Sequence, residues 1–133
     1  MKTIETWAWT LATVISTMTI TQSALAGKRD AAPVTISSTQ AQGGFGSARN
    51  STTDSKQAIG CSLTYTGGTI ASVTCSATDA AGHAKSCSAA VPTGVFALHG
   101  LTDDSFLLFT WDSSGKCRDI WVSKSSAYEP KNP

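Results

Sequence analysis

The chain has 133 residues, of which 14% are charged, and its formal net charge is +1. That length leaves room for one small domain, and a charge-poor, near-neutral composition has no electrostatic footprint for nucleic acid or an anionic membrane surface. The 18 Ser and 19 Thr are polar without charge, which suits short strands and exposed turns better than amphipathic helices.

Residues 1–26 carry an early cation, Lys2, then an uncharged stretch containing Trp7, Trp9, Leu11, Val14, Ile15 and Ile20, then Ala24-Leu25-Ala26. This reads as an export signal with an A-x-A cleavage site. Many Thr residues interrupt the apolar stretch, which is shorter than the ~20 predominantly apolar residues of a spanning helix. No membrane insertion is therefore expected once the signal is removed, and the product is expected in the periplasm or outside the cell. No cysteine precedes Cys61, so a lipid-modified cysteine at the start of the mature chain is excluded.

Residues 27–44 contain few large apolar side chains and end on a Gly pair. They read as a flexible leader, because such a segment buries too little surface to offset its ordering entropy. The alternatives are an edge strand through Val34-Thr35-Ile36 and a donor segment for another subunit. A folded region over 45–128 and a Pro-containing tail over 129–133 complete the expected organisation.

Short β-prone runs alternate with turn signals through that region. Ile59, Cys61, Leu63 and Tyr65 share one face at period two, and after Gly67-Gly68 so do Ala71, Val73, Cys75 and Ala77, which predicts a first hairpin over 59–78. Asp79-Ala80-Ala81-Gly82-His83 and Asp112-Ser113-Ser114-Gly115-Lys116 have the same D-x-x-G form, that of a three-residue hairpin loop with Gly in the left-handed position. The first turn sets Cys75 opposite Cys87, and the second sets Trp111 opposite Cys117. Continuing the second register without interruption places Phe106, Leu108, Ile120 and Val122 on a core face. Leu107, Phe109, Trp111 and Trp121, with Asp119 among them, then share the other. Residues 105–111, SFLLFTW, are apolar on both faces, as in a central strand covered on both sides. The expected fold is all-β: a single small disulfide-bridged antiparallel sandwich or barrel-like domain, with one short helical turn near 93–100 as the alternative to a strand there.

Export turns the four cysteines into disulfide candidates, since oxidising compartments let bridges form and persist. Cys61, Cys75, Cys87 and Cys117 are spaced by 14, 12 and 30 residues, without the close C-x₂₋₄-C pairs of structural zinc sites. Two bridges are expected, and all three connectivities stay open.

The blocks GSARNS at 46–51, IGC at 59–61, TCSATDAAG at 74–82, SC at 86–87 and FTWDSSGKC at 109–117 together resemble a loose group of small exported bacterial proteins that are themselves uncharacterised. The resemblance covers most of the folded region. It implies export and a disulfide-containing β domain, and it carries over no active-site residue.

Chemistry is sparse. His83 and His99 are the only neutral-pH acid-base candidates, with Asp79, Asp103, Asp104 and Asp112 near them in sequence, and no G-x-S-x-G element is present. No catalytic residue, metal or cofactor is expected: the acidic residues cluster at turns, where Asx hydrogen bonds account for them, and Asp103-Asp104-Ser105 lacks the spaced ligands of a calcium loop. Asn50-Ser51-Thr52 matches the N-glycosylation acceptor pattern, and in a bacterium reads more simply as a turn.

Trp111, Trp121 and Asp119 are the binding candidates. A flat aromatic surface beside a carboxylate suits a carbohydrate-binding face, which stacks on sugar rings and hydrogen-bonds their hydroxyls. Trp111 reads better as a core residue over Cys117, whereas Asp119 on the face of Trp121 argues for water there. The expected function is an exported, non-catalytic binding module for a glycan or an envelope protein. The alternatives are a structural or assembly subunit that self-associates by strand addition and a small exported enzyme inhibitor.

Overall fold

The computed structural model describes residues 30–90 and 95–130. The expected export signal, residues 27–29 of the expected leader and residues 131–133 of the tail lie outside the described residues. Among those described, the strands are β1 (Thr35–Ile36), β2 (Gln40–Gly44), β3 (Ala58–Thr66), β4 (Thr69–Thr78), β5 (Ala84–Ala89), β6 (Ser105–Trp111) and β7 (Cys117–Lys124). They form two antiparallel sheets, ordered β1-β2-β6-β7 and β3-β4-β5. Val73, Cys75, Ala77 and Cys87 from the second sheet join Ala41, Leu107, Phe109, Trp111 and Ile120 from the first in one buried cluster. The architecture is thus a sandwich, and no closed barrel forms among the described residues.

The β3–β4–β5 sheet obeys the turn chemistry. Gly67 and Gly68 both adopt positive φ, 61° and 82°, the backbone of a two-residue hairpin whose twist matches the flanking strands. At the next turn the Asp79 N–H donates to the His83 carbonyl at 3.0 Å, the Gly82 N–H donates to the Asp79 carbonyl, and Gly82 has φ 94°. That fixes Cys75 opposite Cys87, while Cys61 lies opposite Cys75 from the other side. Cys61 bonds Cys75 across β3 and β4, whereas Cys87 bonds Cys117 and links the two sheets. Each bridge stabilises typically by ~2–4 kcal/mol, chiefly by restricting the unfolded chain.

Residues 34–44 correct the expectation of a flexible leader. β2 lies between β1 and β6, paired to β6 from Gln40 opposite Thr110 to Gly44 opposite Phe106 and to β1 at Ala41 and Gln42. Large apolar side chains are not what holds it. Ala41 is fully buried, and a Cβ on Gly43 would meet Val34 Cγ2 at 3.0 Å, so small residues let the returning chain pack closely. The ladder on both sides then satisfies the backbone, which burial of side chains alone does not measure. The edge strand weighed through Val34-Thr35-Ile36 corresponds to β1.

This segment is tied down further by the 51–57 loop. Asp54 accepts hydrogen bonds from the Ser51 hydroxyl at 2.7 Å, the Gln57 amide at 2.8 Å and the backbone N–H groups of Lys56 and Gln57. These bonds, led by that from Ser51, hold its carboxyl well below the usual carboxylate range. Gln57 Oε1 in turn accepts the Val34 N–H at 2.7 Å.

A five-residue helix, α1 (Phe45–Arg49), comes directly after β2, where the sequence pattern predicts none. Five residues are too few to show a helical period. Gly46 is buried because the tail crosses it: a Cβ there would lie 1.6 Å from the Glu129 carbonyl oxygen. Asn50 Nδ2 donates to the Pro130 carbonyl at 2.8 Å, so Glu129 and Pro130 pack on the domain. Residues 95–100 form a 3₁₀ helix, the helical alternative weighed for that segment.

Candidate functional site

The β6–β7 hairpin decides where both tryptophans point. Its turn repeats the first one, with the Asp112 N–H donating to the Lys116 carbonyl at 3.0 Å and Gly115 at φ 77°, and Trp111 lies opposite Cys117 as expected. One step further the register shifts: Phe109 faces Ile120, Leu108 faces Trp121 and Leu107 faces Val122. Arg118 and Asp119 together stand opposite Thr110, a β-bulge, and both are exposed between the buried Cys117 and Ile120. From there on each β7 residue meets a β6 partner of the opposite parity to that of an unbroken ladder.

The expected grouping of faces is therefore corrected. Trp111 is 9% exposed and packs in the core with Phe109, ring centroids 5.8 Å apart, whereas Trp121 is 54% exposed. The inner face holds Leu107, Phe109 and Trp111 with Ile120 and Val122, and Phe106 and Leu108 belong to the outer face. β6 is interior in its sheet, but it is buried on one face and half-buried on the other.

On the outer face three rows cross the sheet. Gln42, Leu108 and Trp121 make one; Gly44, Phe106 and Ser123 make the next. Gln40 lies opposite Thr110, whose hydroxyl donates to Asp119 Oδ2 at 2.9 Å while accepting the Asp119 N–H at 3.2 Å. The Phe106 ring meets Trp121 edge-on at 5.9 Å and stacks with Tyr128 at 5.4 Å, geometries that suit the ring quadrupoles. This lateral support holds the exposed indole in place. Gln40 Nε2 donates to Gln42 Oε1 at 3.2 Å, fixing two amides beside the aromatic rows.

Asp119 and Trp121 are thus brought together and Trp111 is separated from them. Phe106, Thr110, Tyr128, Gln40 and Gln42 are site residues that sequence reasoning misses. The alternation Gln40-Ala41-Gln42 is a usable period-two signal, but it lies in a segment whose composition reads as leader. Phe106 is masked by the assumption of an unbroken register.

The other outer face, on β3–β5, is built differently. Ser62, Thr74 and Ser88 form one row across it, and Gly60, Ser76 and Ser86 another. These rows are a layer of small hydroxyls, which offers no ring on which a ligand could stack.

The remaining candidates fall elsewhere. His83 Nδ1 bonds Asp79 Oδ2 at 2.9 Å within its turn, and that bond is the main cause of the lowered Asp79 pKa. His99 Nε2 lies 3.4 Å from the Tyr65 hydroxyl in a cleft of about 470 Å³ lined also by Ile70, Val95 and the exposed Phe96. Asp104 is bonded by the Thr102 hydroxyl, the main reason its carboxyl lies below the usual range. Among the described residues no group of three or more His, Cys, Asp or Glu could hold a metal ion. Compared with protein families, with curated proteins and with solved structures, the chain matches none.

Proposed function

We propose that the protein is an exported, non-catalytic binding module whose ligand is a glycan, held on the outer face of the β1-β2-β6-β7 sheet. The observation that carries this reading is Trp121, half-exposed on a strand and braced from the side by Phe106 rather than buried. A large apolar side chain left in water on a rigid sheet stabilises the fold little, and it offers a ring on which a pyranose can stack. Thr110, Asp119 and the paired amides of Gln40 and Gln42 stand beside it as hydrogen-bonding groups for hydroxyls. Two disulfides in a small domain suit a location outside the reducing cytosol. The alternative of strand donation by the leader is less well supported, because β2 already pairs within its own chain on both sides.

Retention in polysaccharide-containing native gels tests the reading. Trp121→Ala is expected to abolish retention while moving the thermal midpoint little. In a Trp111→Phe background Trp121 is the only tryptophan after residue 26, and its emission is expected to be red-shifted, open to a soluble quencher, and shifted by glycan. Blue-shifted, quencher-resistant emission would sink the proposal.

A further inference from the structure

Resting on that reading, we infer that the site takes a neutral glycan at least two rings long, one pyranose on Trp121 and the next on the amides of Gln40 and Gln42, and that acidic glycans are disfavoured. Trp121, Leu108 and Gln42 are successive partners across β7, β6 and β2. Two strand spacings separate the ends of that row, about 9–10 Å, the reach of two linked sugar rings. Leu108, half-buried between them, gives the chain a flat apolar floor.

The amide pair supplies the chemistry for the second ring. The Gln40 Nε2 to Gln42 Oε1 bond leaves the Gln40 carbonyl oxygen, the Gln42 NH₂ and the second Gln40 N–H to bond a ligand, an acceptor beside donors. The same complement results whichever way round the two amides sit. Adjacent sugar hydroxyls, each both donor and acceptor, match that pair. A lone ammonium or guanidinium would instead select an anion.

Charge decides the class. Of the residues in register on this face, from Gln40, Gln42 and Gly44 through Phe106, Leu108 and Thr110 to Asp119, Trp121 and Ser123, only Asp119 is charged. Arg118, exposed next to Asp119 in the bulge, offsets that charge, so the face carries no net positive charge. A uronate or sulfate laid across the rows would therefore meet Arg118 only together with the Asp119 carboxylate, with no net positive charge to hold it. Asp119 keeps a further oxygen to accept a sugar hydroxyl while Thr110 holds the first.

The test is affinity electrophoresis of the oxidised chain against neutral polysaccharides (a mixed-linkage β-glucan and a galactomannan) and acidic ones (polygalacturonate and alginate) at low and moderate salt. The expected result is retention by a neutral polysaccharide alone, weakened roughly tenfold or more by Trp121→Ala and about 3- to 10-fold by Gln42→Ala. Asp119→Asn is expected to raise binding of the acidic polymers relative to the unmodified protein. Thermal midpoints check that each variant is folded. Trp121-dependent retention by an acidic polymer would overturn the neutral class and leave the glycan platform standing. Unchanged neutral binding in Gln42→Ala would overturn the two-ring placement. Absence of retention by all four, or retention indifferent to Trp121, would overturn the platform itself and this inference with it.

Discussion

The two D-x-x-G hairpins share a turn and differ in the ladders that extend from it. Asp79 and Asp112 each cap their loop with a side-chain oxygen, Gly82 and Gly115 each sit at positive φ, and the first pair beyond each turn is the one the loop length dictates. From the first turn the ladder runs unbroken to Val73 opposite Ala89. From the second it slips by one residue at Arg118, and the two tryptophans of one hairpin end on opposite faces of the sheet. A turn fixes where a ladder starts, and the side chains that need burying fix whether it continues in step. Leu107, Phe109 and Trp111 are bulkier as a set than Phe106, Leu108 and Thr110, and the bulge lets Ile120 and Val122 join them on the inner face.

The most demanding test of this difference removes each tryptophan in turn. Trp111→Ala is expected to cost ~3–5 kcal/mol, as for a buried aromatic, and Trp121→Ala less than about 1 kcal/mol. Urea midpoints report both. Equal costs would mean that the second hairpin is not bulged and that the faces regroup.

Next in size are the two bridges. The Cys87→Ala/Cys117→Ala double variant removes the link between the sheets and a 30-residue separation, and Cys61→Ala/Cys75→Ala removes one of 14. Each is expected to cost about 3 kcal/mol, the first a few tenths more because the longer loop restricts the unfolded chain further. Chemical denaturation under oxidising conditions measures the pair. A reversed order would show that docking of the sheets does not depend on the covalent link.

Smaller effects are expected at the turns. Gly82→Ala and Gly115→Ala should each cost about 1–2 kcal/mol, because a β-carbon disfavours the left-handed backbone. The two costs are expected to be similar, since a Cβ on Gly82 would make only ordinary contact with Lys56 Cδ at 3.4 Å and nothing lies within 4 Å of one on Gly115. A change near zero in both midpoints would remove the shared turn assignment.

The smallest difference is electrostatic. Both carboxylates are held below their usual range, Asp79 chiefly by the His83 side chain and Asp112 chiefly by the Ser114 hydroxyl. A carboxyl depressed in the folded state contributes stability that is present above its unfolded pKa of about 3.9 and is lost as pH falls through the lower folded value. Stability is therefore expected to fall only below about pH 4. His83→Ala should raise the Asp79 titration toward the ordinary value and leave that of Asp112 in place, as carboxyl NMR titrations would record.

Much of this fold is legible in the sequence, because β3, β4, β6 and β7 are runs of alternating or apolar residues bounded by Gly-containing turns. The features that escape such reading have specific physical causes. A bulge is a one-residue event with no composition of its own, so Arg118 gives no sign that Trp121 changes face. β2 is held by its ladder and by the closeness that Ala41 and Gly43 allow, and a scale of side-chain hydrophobicity does not register either. The candidate site combines both blind spots, since Gln40 and Gln42 come from β2 and Trp121 from the bulged strand. Asp119 and Trp121 are recognisable as a pair because two residues spaced by two on one strand share a face in any register.

Cys61, Cys75 and Cys87 stand in one line across three neighbouring strands, Cys75 in the middle. Reducing the Cys87–Cys117 bridge alone would leave the Cys87 sulfur beside an intact disulfide, positioned for thiolate attack on Cys75. The bridge can then hop one strand inward, with Cys61 as the leaving thiol on the sheet's free edge. A Cys75–Cys87 isomer would therefore join two residues that already lie opposite each other in the ladder. The Cys87–Cys117 pairing, by contrast, requires the two sheets to be docked, because Cys117 lies on β7 in the other sheet.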